Sequence, residues 1–230
     1  MAVLRPAGGT MLTDEAARKG TTMTREYHAG QRALQDHFDA RRLADRLAEA
    51  ATDRISEVHR SFIEAQDMFF MATADEHGAP ECSYKGGEPG FVRVLDPTTL
   101  VFPVYDGNGM FLTTGNLTVN PQVGMLFLDL ETGSRLRIDG SATFDLEDPL
   151  TELFPGAQSV VRVTPRAVFA NCSRYVHRYR LVERSTFVPS ATHQAPVPDW
   201  KRDAWFEGTL PKGDPAHDPD SPVAPSIPHF

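Results

Sequence analysis

Residues 68–85 indicate the fold class more clearly than any other stretch of the chain. They read MFFMATADEHGAPECSYK, in which a short apolar run ends at an Asp-Glu-His-Gly turn and a second extended segment begins at residue 79. Two short segments on either side of a polar, glycine-containing turn are typical of a β-hairpin. We therefore expect two antiparallel strands here.

More short strands are expected after this hairpin. Five segments have strand character: residues 91–95, 100–105, 122–130, 135–144 and 158–169. The nearly continuous apolar run at 122–130 predicts a strand buried on both faces, and a short helix is expected over 110–119. Many short strands, mostly linked as hairpins, favour an antiparallel sheet that closes into a barrel.

The chain divides into three regions, with boundaries at 1–66, 67–187 and 188–230. The first has a non-periodic leader (1–23), followed by apolar residues at spacings of three and four that predict one amphipathic helix from Arg41 to Gln66. The second is the barrel. The third carries nine of the 18 prolines, so we expect an extended or disordered tail, docked in part through Trp200, Trp205 and Phe206.

Composition narrows the class of protein. The 230 residues are 40% hydrophobic and carry a net charge of −8, which is ordinary for a globular protein and disfavours nucleic-acid binding. No apolar run is long enough for a membrane span and no secretory signal is visible. The two cysteines and the spacing of the histidines predict no metal site. We expect a cytosolic protein.

The glycine-rich segment at 104–110 is the main candidate site. Two Asp-Gly or Asn-Gly pairs there precede the expected helix. Glycine lets consecutive backbone N–H groups converge, and a helix N-terminus favours a phosphate. The alternative is an ordinary tight turn in which Asn108 caps the helix.

Four other residues could carry chemistry. Lys85 precedes two glycines and could place its ammonium on a phosphate, or it could be a surface lysine. Arg135 and Arg137 share one face of a strand, which would suit an anionic ligand if that face is a site, or solvent if it is an edge. Cys172 would need a base to act as a nucleophile, and His177 is the nearest, so a structural role is favoured.

Four motifs in fixed order resemble the pyridoxamine 5′-phosphate oxidase-like, FMN-binding split-barrel family. The matching segments are residues 71–80, 100–102, 120–127 and 135–140. The Gly-Gly-Glu-Pro-Gly loop at 86–90, the segment Tyr27 to Arg32 and the pair Asn171-Cys172 resemble a flavin-nucleotide-binding branch of that family.

The resemblance implies a mainly β protein with flanking helices, built on a six-stranded antiparallel Greek-key split barrel. It also implies a homodimer with FMN in clefts at the interface. Ser83 stands where the oxidase has an arginine, and Lys85 is expected to replace that charge. The candidate cofactor-binding residues are Ser83, Tyr84, Lys85, Val104, Asn108, Gly109, Met110, Thr113, Thr114, Asn116, Arg135, Arg137 and Asn171.

The expected function is that of an FMN-dependent oxidoreductase, which passes electrons between a nicotinamide donor and flavin or a small electrophile. No catalytic side chain is assigned. Oxidation of pyridoxamine phosphate is not expected, because the oxidase's Arg-x-His has no clean match and its flavin-stacking tryptophan corresponds to Ala170. The alternatives are a non-catalytic flavin-binding or storage dimer, or a split barrel that binds haem or a deazaflavin.

Overall fold

The computed structural model describes residues 26–226, in which helices precede and interrupt a β-sheet. The helices are α1 (Ala29–His37), α2 (Arg41–Ala48), α3 (Glu57–Ala65) and α4 (Leu112–Val119). The strands of the main sheet are β1 (Met68–Ala74), β2 (Pro80–Gly86), β3 (Arg93–Asp96), β4 (Thr99–Tyr105), β5 (Gln122–Leu128), β6 (Arg135–Asp145) and β7 (Ala157–Ala170). Two short strands, β8 (Val197–Pro198) and β9 (Val223–Ala224), pair with each other in the tail.

The main sheet is antiparallel and has the strand order β2-β1-β5-β6-β7-β4-β3. The predicted fold class is therefore confirmed, with seven strands in the sheet where six were expected. The expected closure into a barrel is not found among the described residues, because no hydrogen-bonded pairing joins the two ends of this order. The hydrogen-bonded order leaves β2 and β3 as edges, and α4 packs against β1, β2 and β6. The predicted hairpin and the predicted helix near residue 110 are both present.

The sheet curls around an aromatic core. The ring of Phe69 on β1 lies 5.1 Å from that of Phe127 on β5 and 5.1 Å from that of Phe102 on β4. Because β1 and β4 are far apart in the strand order, only a strongly curved sheet brings these rings together. All three side chains are fully buried, which supplies much of the apolar area that stabilises the fold.

The register decides which polar residues face this core. Lys85 pairs with Phe69 and Ser83 pairs with Met71. Directly opposed residues of antiparallel strands project from the same face of the sheet. Lys85 and Ser83 are therefore placed on the core side, at the edge strand β2.

The single helix predicted over Arg41 to Gln66 is wrong, because the chain leaves the helical conformation between α2 and α3. Thr52 exchanges two backbone hydrogen bonds with Val168 of β7, at 3.1 and 2.6 Å. Ser56 then restarts the helix, since its hydroxyl accepts from the backbone N–H of His59 at 3.2 Å. The apolar spacing continues across this break, so periodicity did not reveal it.

Strand β5 was expected to be buried on both faces, and this is wrong within the described chain. Val123, Met125 and Phe127 are buried, whereas Gly124 and Leu126 on the other face are only partly covered. The core covers one face. The other forms part of an outer surface of the sheet, to which Phe70 also belongs through its pairing with Leu126.

The described part of the tail forms short turns, so the expectation of an extended wrap is wrong there. It contains short 3₁₀ helices at Asp199–Arg202, Ala204–Phe206 and Pro215–His217. Aspartates cap these turns, as when Asp214 accepts from the N–H of Ala216 at 2.9 Å, and Pro215 occupies a first-turn position that needs no donor. The rings of Trp200 and Trp205 both contact Phe206 within the tail, and Trp205 remains largely exposed to solvent.

The predicted leader, residues 1–23, lies outside the described residues. Within residues 26–226, no helix is both long and apolar enough to cross a membrane.

Candidate functional site

An open cleft of about 260 Å³ lies between β2, β4 and the start of α4. It contains five of the predicted site residues: Tyr84, Lys85, Val104, Thr113 and Thr114. Aromatic and apolar side chains form much of the remaining wall, namely Phe91, Phe102, Pro103, Tyr105 and Val161, with Gly86, Asp106 and Gly107 at its edges. The cleft therefore combines one ammonium and two hydroxyls with an aromatic wall.

The glycine-rich turn sets the start of α4 beside this cleft. Gly109 adopts φ +78°, and Phe111, in the N-cap position, adopts φ +49°. The predicted capping role of Asn108 is wrong, because its Oδ1 accepts from the N–H of Met110 at 3.1 Å instead. No side chain caps α4, so its first amides and the positive end of the helix dipole remain available to an anion.

Thr113 is the centre of the polar cluster on the floor of the cleft. Its Oγ1 lies 2.9 Å from Lys85 Nζ, 3.1 Å from Ser83 Oγ and 3.2 Å from Glu81 Oε2. Glu81, Ser83 and Lys85 occupy alternate positions of β2, so the period-two geometry of a strand brings them to one face. The helix and the strand are thus joined through one hydroxyl.

A second branch of the cluster lies deeper, away from the cleft. Thr73 Oγ1 donates to Glu81 Oε2 at 2.9 Å, and Asn116 Nδ2 donates to Thr73 Oγ1 at 3.0 Å. The predicted site residue Asn116 therefore binds within the protein, and it supports Glu81 through Thr73. Asn116 therefore lies outside the cleft lining and supports the site indirectly.

Burial perturbs the titratable groups along the cleft. It lowers the pKa of Lys85, although the nearby carboxylate of Glu81 acts in the opposite direction. Burial also raises the pKa of Tyr105 and of Tyr84, so both phenols remain neutral at ordinary pH. Among the described residues that line the cleft, Lys85 is the one with a positively charged side chain.

Eight predicted site residues do not line this cleft, and one of them, Ser83, contacts Thr113 from β2. Asn108, Gly109 and Met110 are exposed on the turn above it, and Asn116 is placed as described. Arg135 and Arg137 lie on the outer face of β6, because the buried residues Leu136 and Ile138 alternate with them. Alternation along a strand puts the two arginines on the opposite side of the sheet from Lys85.

Asn171, the remaining predicted residue, joins Arg135 at that outer face. Its Oδ1 accepts from Arg135 at 2.8 Å, and the guanidinium of Arg137 lies 5.9 Å from the ring centre of Phe169. Arg135 Nε is buried, with no hydrogen-bond partner within residues 26–226. The predicted residues thus form two separate groups in one chain.

Sequence reasoning missed Glu81 and Lys201. Glu81 could have been found, since it alternates with Ser83 and Lys85. Lys201 could not, because its partner Asp106 is 95 residues away. The Lys201 ammonium donates to Asp106 at 2.6 Å and to Asp214 at 2.7 Å, and its side chain is 4% exposed. The tail is thereby attached to the rim of the cleft.

Cys172 is exposed, which excludes a place in the core. The backbone and side chain of Arg174 hydrogen-bond to its sulfur and lower the pKa of the thiol. The contact is with Arg174 and not with His177, the base considered from the sequence. Within residues 26–226, no three or more His, Cys, Asp or Glu side chains are grouped to hold a metal ion.

The comparison with protein families identifies the class of protein. Residues 55–172, just over half of the chain, match the family model described as pyridoxamine 5′-phosphate oxidase. The chain therefore belongs to the pyridoxamine 5′-phosphate oxidase family. The match ends at Cys172 and so includes every predicted site residue.

Among solved structures the similarity is distant. HupZ from Group A Streptococcus is 19% identical, with 55% of this chain and 99% of that chain covered and a TM-score of 0.43. The heme storage protein HutZ from Vibrio cholerae is 21% identical (51% and 94% covered, TM-score 0.39). An FMN-binding protein from Syntrophomonas wolfei is 13% identical (60% and 97% covered, TM-score 0.39). No curated protein matches the chain.

Proposed function

We propose that the protein binds FMN in the cleft between β2, β4 and α4 and that it acts as an FMN-dependent oxidoreductase. The observation that carries the proposal is the position of the Lys85 ammonium and the Thr113 hydroxyl beside the uncapped first turn of α4. The side-chain cation and the free backbone amides together form a donor set that suits a phosphate, and Thr113 holds the ammonium in place.

The phosphate end of FMN fits the residues present. An ammonium has three hydrogens, and Thr113 takes one of those of Lys85. A Cβ built on Gly107 would meet nothing within 4 Å, so the backbone at the edge of the cleft is open to a ligand. With a net charge of −8 on the whole chain, binding must depend on this local cluster, because the global field opposes an anion.

The aromatic wall suits the ring of a flavin. Tyr105 is only partly buried and offers aromatic surface in the cleft, whose wall also includes the core residues Phe91 and Phe102. An apolar wall of this kind would exclude water from a planar ligand. Bound FMN would supply hydride acceptance and one-electron chemistry that no side chain has. In this proposal the chain's own residues bind and orient the ligand, and none acts as an acid or base.

A homodimer, part of the same proposal, would account for the arginine group on the outer face. Phe70, Leu126 and Leu128 there are only partly covered, and the buried Nε of Arg135 lacks an acceptor among the described residues. A second copy on this face would bury the apolar side chains and could bring an acceptor to Arg135. We place the protein in the cytosol, which suits two free, exposed cysteines.

Absorbance of the purified protein tests the function. We expect it to carry or take up FMN, with a band at about 450 nm that disappears when NADH or NADPH is added without oxygen. A protein that neither carries nor binds FMN contradicts the proposal. A yellow protein that no nicotinamide bleaches would be a flavin store, and a Soret band would indicate haem. Pyridoxamine phosphate should not be oxidised.

A further inference from the structure

Glu81 contributes a negative charge to a site that would be expected to attract anions. Its Oε2 accepts from Thr113 at 3.2 Å and from Thr73 at 2.9 Å. Beside Thr113, the ammonium of Lys85 lies on the other side of the same hydroxyl, at 2.9 Å. Glu81 and Lys85 are therefore opposite charges that share one hydroxyl between them.

The chemistry of these groups fixes the direction of each hydrogen bond. An ammonium only donates and a carboxylate only accepts. Thr113 therefore accepts from Lys85 and gives its single hydrogen to Glu81. Ser83, 3.1 Å from Thr113, must then be the donor in that contact. The hydrogens of both hydroxyls are thus used within the protein and face away from a ligand in the cleft.

We propose that Glu81 is a positioning residue that weakens phosphate binding in the cleft by taking the hydrogen of Thr113 and by offsetting the charge of Lys85. This inference rests on the proposed function, since the phosphate is that of FMN. The pair Lys85 and Glu81 has no net charge, so a dianionic phosphate gains less than it would from a lone lysine. Bound FMN would therefore exchange with FMN in solution more readily than if Lys85 acted without Glu81.

Replacement of the carboxylate by an isosteric amide tests the proposal. Glu81→Gln keeps an acceptor for Thr73 and Thr113 and removes the charge. We expect the Kd for FMN to fall about tenfold, in line with the loss of one like charge several ångströms from the phosphate. The Kd for riboflavin, which lacks the phosphate, should not change. Both are measured by quenching of flavin fluorescence.

Two control variants separate charge from structure. Glu147→Gln makes the same change in net charge at an exposed position remote from the cleft, and it should leave both Kd values unchanged. Glu81→Asp retains the charge with altered geometry, and it should bind FMN no more tightly than the unchanged protein. If Glu81→Gln binds FMN no better than the unchanged protein, or improves FMN and riboflavin equally, the inference is overturned.

A measurement without flavin distinguishes this failure from failure of the proposed function. If the unchanged protein binds no FMN, the proposed function is wrong, and inorganic phosphate then decides the role of Glu81. The NMR signal of the Lys85 side chain would report phosphate binding. Tighter phosphate binding in Glu81→Gln supports the inference, and equal binding in the two proteins overturns it.

Discussion

Two lysines flank the cleft, and their surroundings differ in kind. Lys85 on β2 contacts a hydroxyl and has a carboxylate only on the far side of it. Lys201 in the tail contacts two carboxylates directly, Asp106 and Asp214. Burial acts against the charged form of both, yet the pKa of Lys85 is lowered whereas hydrogen bonds to the aspartates raise that of Lys201.

Under the proposed function, this difference separates a ligand-binding lysine, Lys85, from a structural one, Lys201. Asp106 and Asp214 more than neutralise Lys201, so it has little to offer an anion and instead attaches the tail to the glycine-rich turn. Lys85 keeps hydrogens that no described contact uses, and its charge is only partly offset. Because Asp106 belongs to the cleft lining, the structural lysine also positions one wall of the site in which the other lysine acts.

The largest effect is expected from Lys201→Met. The change leaves Asp214, whose side chain is 5% exposed, without its cation. We expect the tail to lose about 3 kcal/mol of docking free energy, at the lower end of the range for breaking a buried ion pair because Asp106 is more than half exposed. Hydrogen exchange of the amides in 197–226 measures this loss.

Lys212→Met is the matched control for that experiment, since Lys212 is an exposed lysine of the same tail. It should leave the exchange rates unchanged. If the tail amides exchange as slowly in Lys201→Met as in the unchanged protein, Lys201 does not anchor the tail. The structural role assigned to Lys201 is then wrong.

The next largest effect is expected from Lys85→Ala, which tests the proposed ligand-binding role of Lys85. We expect FMN binding to weaken by about 1–3 kcal/mol, the range for loss of a hydrogen bond to a charged group. Riboflavin binding and the exchange rates of the tail should not change, and Lys212→Ala should have no effect on either ligand. Unchanged FMN affinity in Lys85→Ala would remove Lys85 from the site.

The pH dependence should distinguish the two lysines through the opposite shifts of their pKa values. Burial holds the pKa of Lys85 below the ordinary 10.5. In the proposed function, Lys85 binds phosphate only while it is protonated. FMN affinity should therefore fall as the pH rises, and it should begin to fall sooner than an ordinary lysine would allow. Lys201 has a raised pKa, so it stays charged over that range and the tail should remain docked.

Low pH should affect the tail contact through Asp214, the carboxylate partner of Lys201. The pKa of Asp214 is lowered, because hydrogen bonds from Lys201 and from a backbone amide outweigh its burial. Its contribution to docking is therefore present above the ordinary pKa of 3.8 and is lost as the pH falls through the folded-state value. Tail amides whose protection is lost at alkaline pH, in step with FMN binding, would contradict the assignment of both lysines.

Local patterns were enough to predict the strands of the main sheet and five of the residues that line the cleft. Apolar alternation and the turn at residues 75–78 identify β1 and β2, and the same alternation places Lys85 near Thr113 once α4 is given. It also places Arg135 and Arg137 on the same face of β6, but it does not show whether that face is the core side or the outer side of the sheet. That choice depends on the positions of Leu136 and Ile138 in the core.

Long-range contacts explain what the sequence did not predict. Between α2 and α3 the chain leaves the helical conformation, and Thr52 pairs there with Val168, 116 residues further on. Nothing in the local sequence marks this pairing. Lys201 likewise finds Asp106 across 95 residues. The prolines of the tail predicted an extended or disordered segment, whereas the described part forms 3₁₀ turns with aspartate caps and is attached through this distant ion pair.

The smallest effect is expected from Asp106→Asn, which moves Lys201 part of the way toward the surroundings of Lys85. One carboxylate, Asp214, remains in contact, so the tail should stay docked and lose only about 0.5–1 kcal/mol, as expected for a half-exposed partner. The pKa of Lys201 should fall, since one of the two groups that raise it is gone. Side-chain NMR of Lys201 measures the titration, and exchange of the tail amides measures docking. If Asp106→Asn undocks the tail as completely as Lys201→Met does, then Asp106 and not Asp214 is the principal partner of Lys201.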